Sequence, residues 1–409
     1  MHRAQRALAL LALLWCGAAD PDPQNFGQIE RGKYLAAVGD CVACHTAKGG
    51  QPFAGGLPVH TPFGIVVSPN ITPDRETGVG AWSEEDFLRV MQRGIAPHGV
   101  HLYPAMPYTD YTHVTQDDDL AIWAWLKTLP AVSNKVVADQ LAFPLSIRAT
   151  MIAWNALFFR AGVFQPDPAQ SVMWNRGAYL VTGLGHCGAC HTPRNFLGAE
   201  KSSADLAGAP VEGWFAPNIT SDPRHGVGGW AASEIVEYLR GGHNVAAAAS
   251  GPMGQEVALS SAHMTDTDLQ AIAIYLKDVP ATTDTASAAP PDGAVMKEGG
   301  AIYADECSAC HTPDGKGIAQ LFPALAAAPS IQAREATSVI RVILQGAKSV
   351  ATDRAPTGPA MPTFGWMLTD QQIAAVSTYI RNAWGNAAPV VSDDEVRHER
   401  DRLARSGGE

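Results

Sequence analysis

Six of the seven cysteines stand in three Cys-x-x-Cys pairs, and each pair is followed at once by a histidine. They are Cys41, Cys44 and His45; Cys187, Cys190 and His191; and Cys307, Cys310 and His311. Two thiols at this spacing add across the two vinyl groups of a haem to give thioethers. The adjacent histidine then lies beneath the iron as its proximal ligand. One such pair alone would also suit a redox dithiol or half a zinc site. Three copies, each with the histidine in place, point to three covalently attached haem c groups.

A second axial ligand is then needed for each iron, and a methionine sulfur is the usual choice in electron-transfer cytochromes. Met106 lies in Pro104-Ala105-Met106-Pro107 and Met361 in Pro359-Ala360-Met361-Pro362, each with a proline on either side to stiffen its loop. The middle copy offers Met253 or Met264. The numbering places Met106 61 residues after His45, and Met253 62 residues after His191. Spacing therefore favours Met253, and Met264 reads as core packing, as Met91 and Met173 do. His98, His101, His113, His225 and His243 read as surface residues once each haem has a methionine. Pro69, Pro217 and Pro323 follow the three motifs, and their carbonyls are expected to hold the outer nitrogen of each proximal ring.

The flanks repeat as well. Arg31-Gly32-Lys33-Tyr34-Leu35 precedes the first motif and Arg176-Gly177-Ala178-Tyr179-Leu180 the second. Pro69-Asn70-Ile71-Thr72 recurs as Pro217-Asn218-Ile219-Thr220. Each copy closes with an expected helix opening at Thr115, Thr265 or Thr369. Asp118, Asp268 or Gln372 follows three residues later as a capping box. Gly32, Gly177 and Gly299 start the leading helices, where a missing side chain lets a second helix approach closely, with an aromatic of the closing helix over the glycine.

Residues 1–19 begin with two arginines, continue through an apolar run to Trp15 and end in Gly17-Ala18-Ala19. This pattern is a secretory signal peptide, too short in its apolar part to span a bilayer. Cys16 lies within it, either discarded or, as a second reading, a lipidation site. The expected organisation beyond it is domain one at 26–132, a connecting segment at 133–170, domain two at 171–282, a linker at 283–293, domain three at 294–386 and a charged tail at 387–409. Ile147 to Phe164 reads as a helix packed between domains. The tail reads as a solvated helix or as disordered.

Composition sets the outer limits. Across 409 residues, 46% are hydrophobic and 17% charged, which excludes wholesale disorder. The net charge of −11 opposes binding to a phosphate backbone, so no nucleic-acid partner is expected. No phosphate loop, nicotinamide fingerprint or hydrolase nucleophile motif is present.

With Tyr103-Pro104-Ala105-Met106-Pro107-Tyr108 and the run Gly185 to Arg194, these motifs resemble the triheme cytochrome c subunits of bacterial membrane-associated dehydrogenases. That group serves alcohol, gluconate, sorbitol and fructose dehydrogenases. The chain is equally similar to cytochromes paired with molybdenum-hydroxylase-type aldehyde or nicotinate dehydrogenases. The resemblance runs from Gly27 to Asn386. It implies an all-α chain of three tandem class I cytochrome c domains with long loops, exported to the periplasm. It also implies a catalytic partner subunit of flavin, quinoprotein or molybdopterin type, with ubiquinone or a terminal oxidase as acceptor. No catalytic residue of the chain's own is expected. Relatives often carry a longer amphipathic tail, so membrane contact is expected to be peripheral. A free-standing periplasmic carrier is the alternative. A haem enzyme, such as a peroxidase or thiosulfate-oxidising cytochrome, needs an open iron site that three methionine loops disfavour.

Overall fold

A computed structural model describes residues 23–282 and 290–406. The signal-peptide reading and most of the linker lie outside the described residues. Helices dominate, and a recurrent pair of them organises each copy. The leading helix Pro23–Val38 packs on the closing helix Gln116–Leu126. Val172–Thr182 packs on Asp266–Leu276, and Gly293–Ile302 on Asp370–Asn382. The glycines explain the closeness of these crossings. A Cβ on Gly32 would stand 1.8 Å from the carbonyl oxygen of Ala121. On Gly177 it would stand 2.0 Å from that of Ala271, and on Gly299 2.1 Å from that of Ala375. The glycines lie within the leading helices rather than at their starts; Tyr275 and Tyr379 lie against Gly177 and Gly299, and the nearest atoms to Gly32 are backbone of Ala121 and Ile122.

Between the paired helices the chain runs through long loops punctuated by short antiparallel hairpins. Pro58–Thr61 pairs with Gly64–Val67, which in turn takes Gln140–Leu141 from the connecting segment. Ala209–Val211 pairs with Trp214–Ala216, and Ala347–Lys348 with Ala360–Met361.

The three threonines cap their helices as expected, each accepting from the backbone N–H three residues on. Only Thr369 completes the box, with Gln372 bonding back to its N–H. In the other two copies a tyrosine of the opposite copy takes that place. The Tyr179 hydroxyl oxygen accepts from the Thr115 N–H at 3.2 Å, and its proton goes to Asp118 at 2.6 Å. Tyr34 does the same for Thr265 at 3.3 Å and Asp268 at 2.6 Å. Arg31 and Arg176, from the same copies as the aspartates, complete each carboxylate's partners. The first two copies are thus joined by a reciprocal, pseudo-twofold contact. Their apolar residues form one continuous core, from Leu35 and Ile122 to Leu180 and Leu276.

The third copy has its own core around Tyr303, Ile340 and Ile373. The tail contributes to it. Asp393–Ser406 is a helix, and Val396 on it is fully buried. Arg400 pairs with Asp370 at 2.8 Å, and Arg402 reaches the Gly213 carbonyl of the second copy at 2.6 Å. The expected solvated or disordered tail is therefore a packed helix, because its charges find partners along one face. Arg381 is wholly buried and donates to the carbonyls of Ile331, Arg334 and Pro389, tying the tail's entry to the core.

The helix Thr150–Phe158 acts as the expected strut. Met151 and Trp154 pack with Tyr103 and Tyr108 of the first copy and Ala199 of the second. Trp154 also donates to the Leu197 carbonyl at 2.9 Å. Its other face leaves Ile152 and Leu157 exposed.

Removing either tyrosine hydroxyl leaves a buried aspartate short of one partner. Tyr34→Phe and Tyr179→Phe should each cost roughly 1–3 kcal/mol in urea unfolding of the haem-loaded protein. Asp119 supplies a pH test. It is completely buried, with one carboxylate oxygen bonded to Gln92 and the other unpartnered. Burial pushes its pKa up to about 8. The folded state therefore holds this proton more tightly than the unfolded chain, and its contribution to stability is lost as pH rises from the ordinary carboxylate range to about 8. Asp119→Asn should flatten the fall in unfolding free energy between pH 5 and pH 8, with the largest gain over wild type at the alkaline end.

Candidate haem sites

Each Cys-x-x-Cys-His run forms a helical turn that follows its leading helix within a few residues. The turn brings both thiols to one side and swings the histidine inward. Cys41–Cys44, Gly188–His191 and Ser308–His311 are the helical spans, with Cys187 and Cys307 at the N-terminal ends of the last two.

The outer ring nitrogen of each histidine faces the proline carbonyl expected from the sequence. His45 Nδ1 is 2.8 Å from the Pro69 oxygen, His191 Nδ1 2.6 Å from that of Pro217, and His311 Nδ1 3.0 Å from that of Pro323. A carbonyl only accepts, so Nδ1 must carry the proton. Burial lowers the pKa of all three rings, opposed by the same carbonyls, and this favours the neutral form. A neutral ring protonated at Nδ1 leaves the Nε2 lone pair free for a metal. That is the tautomer haem iron requires.

Among the described residues, none of the six motif cysteines is joined in a disulfide. Burial pushes Cys41 up to about 12, and Cys44, Cys190 and Cys307 up to about 11; Cys187 is raised further still. A redox dithiol needs a lowered thiol pKa, so these pairs are poorly suited to disulfide exchange. Nor do they gather a third ligand. Among the described residues no three His, Cys, Asp or Glu side chains are grouped to hold a metal ion. The donor set fits haem and does not fit zinc.

The methionines divide by environment. Met106 is half-buried in a tight turn, its N–H bonded to the Tyr103 carbonyl and its carbonyl to the Tyr108 N–H. Met361 is half-buried on the Ala360–Met361 strand, with Gly346 pressed against its carbonyl. Met253 is half-buried on the first turn of the helix Gly251–Leu259. Met264 is 8% exposed, inside the core shared by the first two copies. Of the histidines read as surface residues, His98 is exposed. His101 and His243 instead bury an Nδ1 that has no hydrogen-bond partner, His225 Nδ1 lies 3.5 Å from Asp222, and His113 bonds across the copies to the Thr182 carbonyl at 2.7 Å. They lie in the loops that the fold stacks together, which their sequence positions did not reveal.

The first two motifs also face each other. The Ser260 hydroxyl of the second copy donates to the Val38 carbonyl, just ahead of Cys41, at 3.0 Å. Leu184, just ahead of Cys187, stands 3.3 Å from where a Gly39 Cβ would lie.

The cytochrome c family model matches residues 29–130 and 296–384, the first and third copies. A gluconate 2-dehydrogenase cytochrome c subunit from Pantoea cypripedii is 40% identical over 408 residues, covering 95% of this chain and 92% of that protein. This chain belongs to the cytochrome c family. The cytochrome is also 37% identical to the cytochrome c subunit of a quinone alcohol dehydrogenase from Gluconobacter oxydans, over 96% of this chain and 86% of that one. A nicotinate dehydrogenase subunit from Pseudomonas putida is 41% identical over 88% of the cytochrome but only 31% of its own length. Membership of the family brings covalently bound haem c to this cytochrome. Once bound, haem supplies one-electron chemistry. The protein's part is to fix the histidine tautomer, exclude water and set the spacing between sites.

The crossed Tyr34 and Tyr179 contacts escaped sequence reading, although their signal was present. Both tyrosines occupy the same place in the repeated Arg-Gly-x-Tyr-Leu run.

Proposed function

We propose that this cytochrome is the electron-transfer subunit of a periplasmic dehydrogenase complex. It carries three haem c groups in domains at 26–132, 171–282 and 294–386. It passes electrons from a partner's catalytic centre to ubiquinone or a terminal respiratory acceptor. The observation that carries the reading is the threefold recurrence of one arrangement: a Cys-x-x-Cys-His turn with its histidine held by a proline carbonyl at 2.6–3.0 Å. The names of the relatives, cytochrome c subunits of gluconate and alcohol dehydrogenases, support a dehydrogenase partner. Low-spin haem takes one electron at a time, so the two-electron oxidation of an organic substrate belongs to the partner. The partner's flavin, quinoprotein or molybdopterin character follows from its own chain. Export is read from residues 1–19, and among the described residues no helix is long and apolar enough to cross a membrane.

The axial pairs we assign are His45 with Met106, His191 with Met253 and His311 with Met361. The burial of Met264 in the shared core supports giving the second site to Met253.

Pyridine haemochrome should give three haems per chain of exported protein, and two or fewer rejects the count. Met253→Ala should bring a high-spin component and lower one reduction potential, because the sulfur ligand is lost. Met264→Leu should leave the visible spectrum unchanged; the reverse result moves the second ligand to Met264. Mixed alone with alcohols, aldehydes or sugar acids, the oxidised protein should stay oxidised until its dehydrogenase is added. Sustained turnover by the isolated chain rejects the relay role.

A further inference from the structure

The second and third copies meet around Val350 and Trp214. Their methionine loops are packed against each other. The Val350 N–H donates to the Ala249 carbonyl at 3.2 Å. The Val350 side chain lies against Gly242, and near Gly254, the residue after Met253. Trp214 stands at the centre of this contact. Its indole ring lies on Gly251, at 2.5–2.8 Å from where a Cβ would be, two residues ahead of Met253. Gly251 has φ 58°, a conformation other residues adopt only under strain, so both the turn and the ring require glycine here. Trp214 also lines a crevice of about 410 Å³ together with Met361 and Gly346 of the third copy.

The ring is held from both copies. Arg341 of the third copy stacks over it, with the guanidinium carbon 4.9 Å from the ring centre. The neighbouring Gly213 carbonyl accepts from Arg341 at 3.2 Å and from Arg402 of the tail helix at 2.6 Å. Glu399 pairs with both arginines. On the other side of Trp214, the Phe215 N–H donates to the Ser338 hydroxyl at 2.9 Å. A large aromatic is thus clamped at a fixed point between the two methionine loops, more firmly than packing alone requires.

We propose that Trp214 is the positioning residue through which the second and third haem sites exchange electrons. This rests on the axial assignments of Met253 and Met361 made above. With haem bound at both sites, one electron would pass from one iron to the other, in either direction. No bond forms or breaks and no proton is needed. Electron tunnelling falls off steeply across empty or water-filled space and less steeply through packed atoms. Trp214 sets a rigid conjugated ring between Gly251, on which it packs, and the crevice that Met361 lines, and Arg341 stacks over it.

The test uses the exported, haem-loaded full chain. Trp214→Leu removes the ring, Trp214→Phe keeps a smaller one, and Trp214→Met refills the volume with a flexible apolar chain. The methionine variant keeps the comparison open where the leucine variant does not mature. Electrons are injected by a photoactive label, and redistribution between the second and third haems is followed optically. Reduction potentials, haem count and urea midpoint are measured on the same samples. Loss of the ring in the leucine and methionine variants should slow redistribution between the two haems. Phenylalanine should restore most of the rate, with three haems and unchanged potentials throughout. Wild-type rates in the ring-less variants overturn the proposal. So does a slowing that only follows a shift in either potential, which is a purely structural role. A wild-type haem count below three, or retained methionine ligation in Met253→Ala or Met361→Ala, defeats the underlying site assignment instead.

Discussion

Contact between a glycine and the backbone of a crossing helix is the constraint on which each copy depends. At Gly32, Gly177 and Gly299 the space for a Cβ is already taken by a carbonyl oxygen of the closing helix. That crossing fixes the course of the leading helix, and the Cys-x-x-Cys-His turn follows within a few residues of its end. The loop that leaves the turn must then pass the histidine with a proline carbonyl in reach. A slightly wider crossing would carry the motif away from that carbonyl, and the ring would lose the partner that sets its tautomer.

The three copies use this common scaffold in two kinds of assembly. The first two share one core and exchange tyrosines, so each caps the other's closing helix. Buried hydroxyl–carboxylate bonds are strong and geometrically demanding, which suits a permanent interface that brings two cofactor sites together. The third copy keeps its own core and docks through polar clamps: Arg224 to Gln332 at 2.7 Å, Arg402 to Gly213, and Ser338 to Phe215. Segments beside the first two Cys-x-x-Cys-His turns touch, and the Gly251–Leu259 helix contacts Cys41–Cys44, whereas the second and third copies meet where Val350 packs on Gly242 and near Gly254.

The tail illustrates how charge pattern misleads without its surroundings. Asp393-Asp394-Glu395 and Arg397-His398-Glu399-Arg400 read as a solvated run. In the fold, Val396 and Glu399 turn inward, and Arg400 and Arg402 reach across to other segments. A helix presents residues three and four apart on one side, so a mostly charged stretch needs only one apolar residue and a few well-placed arginines to dock.

The sequence by itself determined the chemistry and the local frame. The haem motifs, the proline carbonyls, the capping threonines and the crossing glycines are each set by neighbours a few residues apart or by exact repetition, so their physical roles can be read from spacing. Tertiary structure decided everything that joins one copy to another. Tyr34 reaches Asp268 across 234 residues of chain, and Arg402 reaches Gly213 across 189. No periodicity encodes such contacts, because each depends on how two finished units turn toward each other. Met264 was legible from spacing as a packing residue, but which neighbours enclose it, from both of the first two copies, was decided by their shared core.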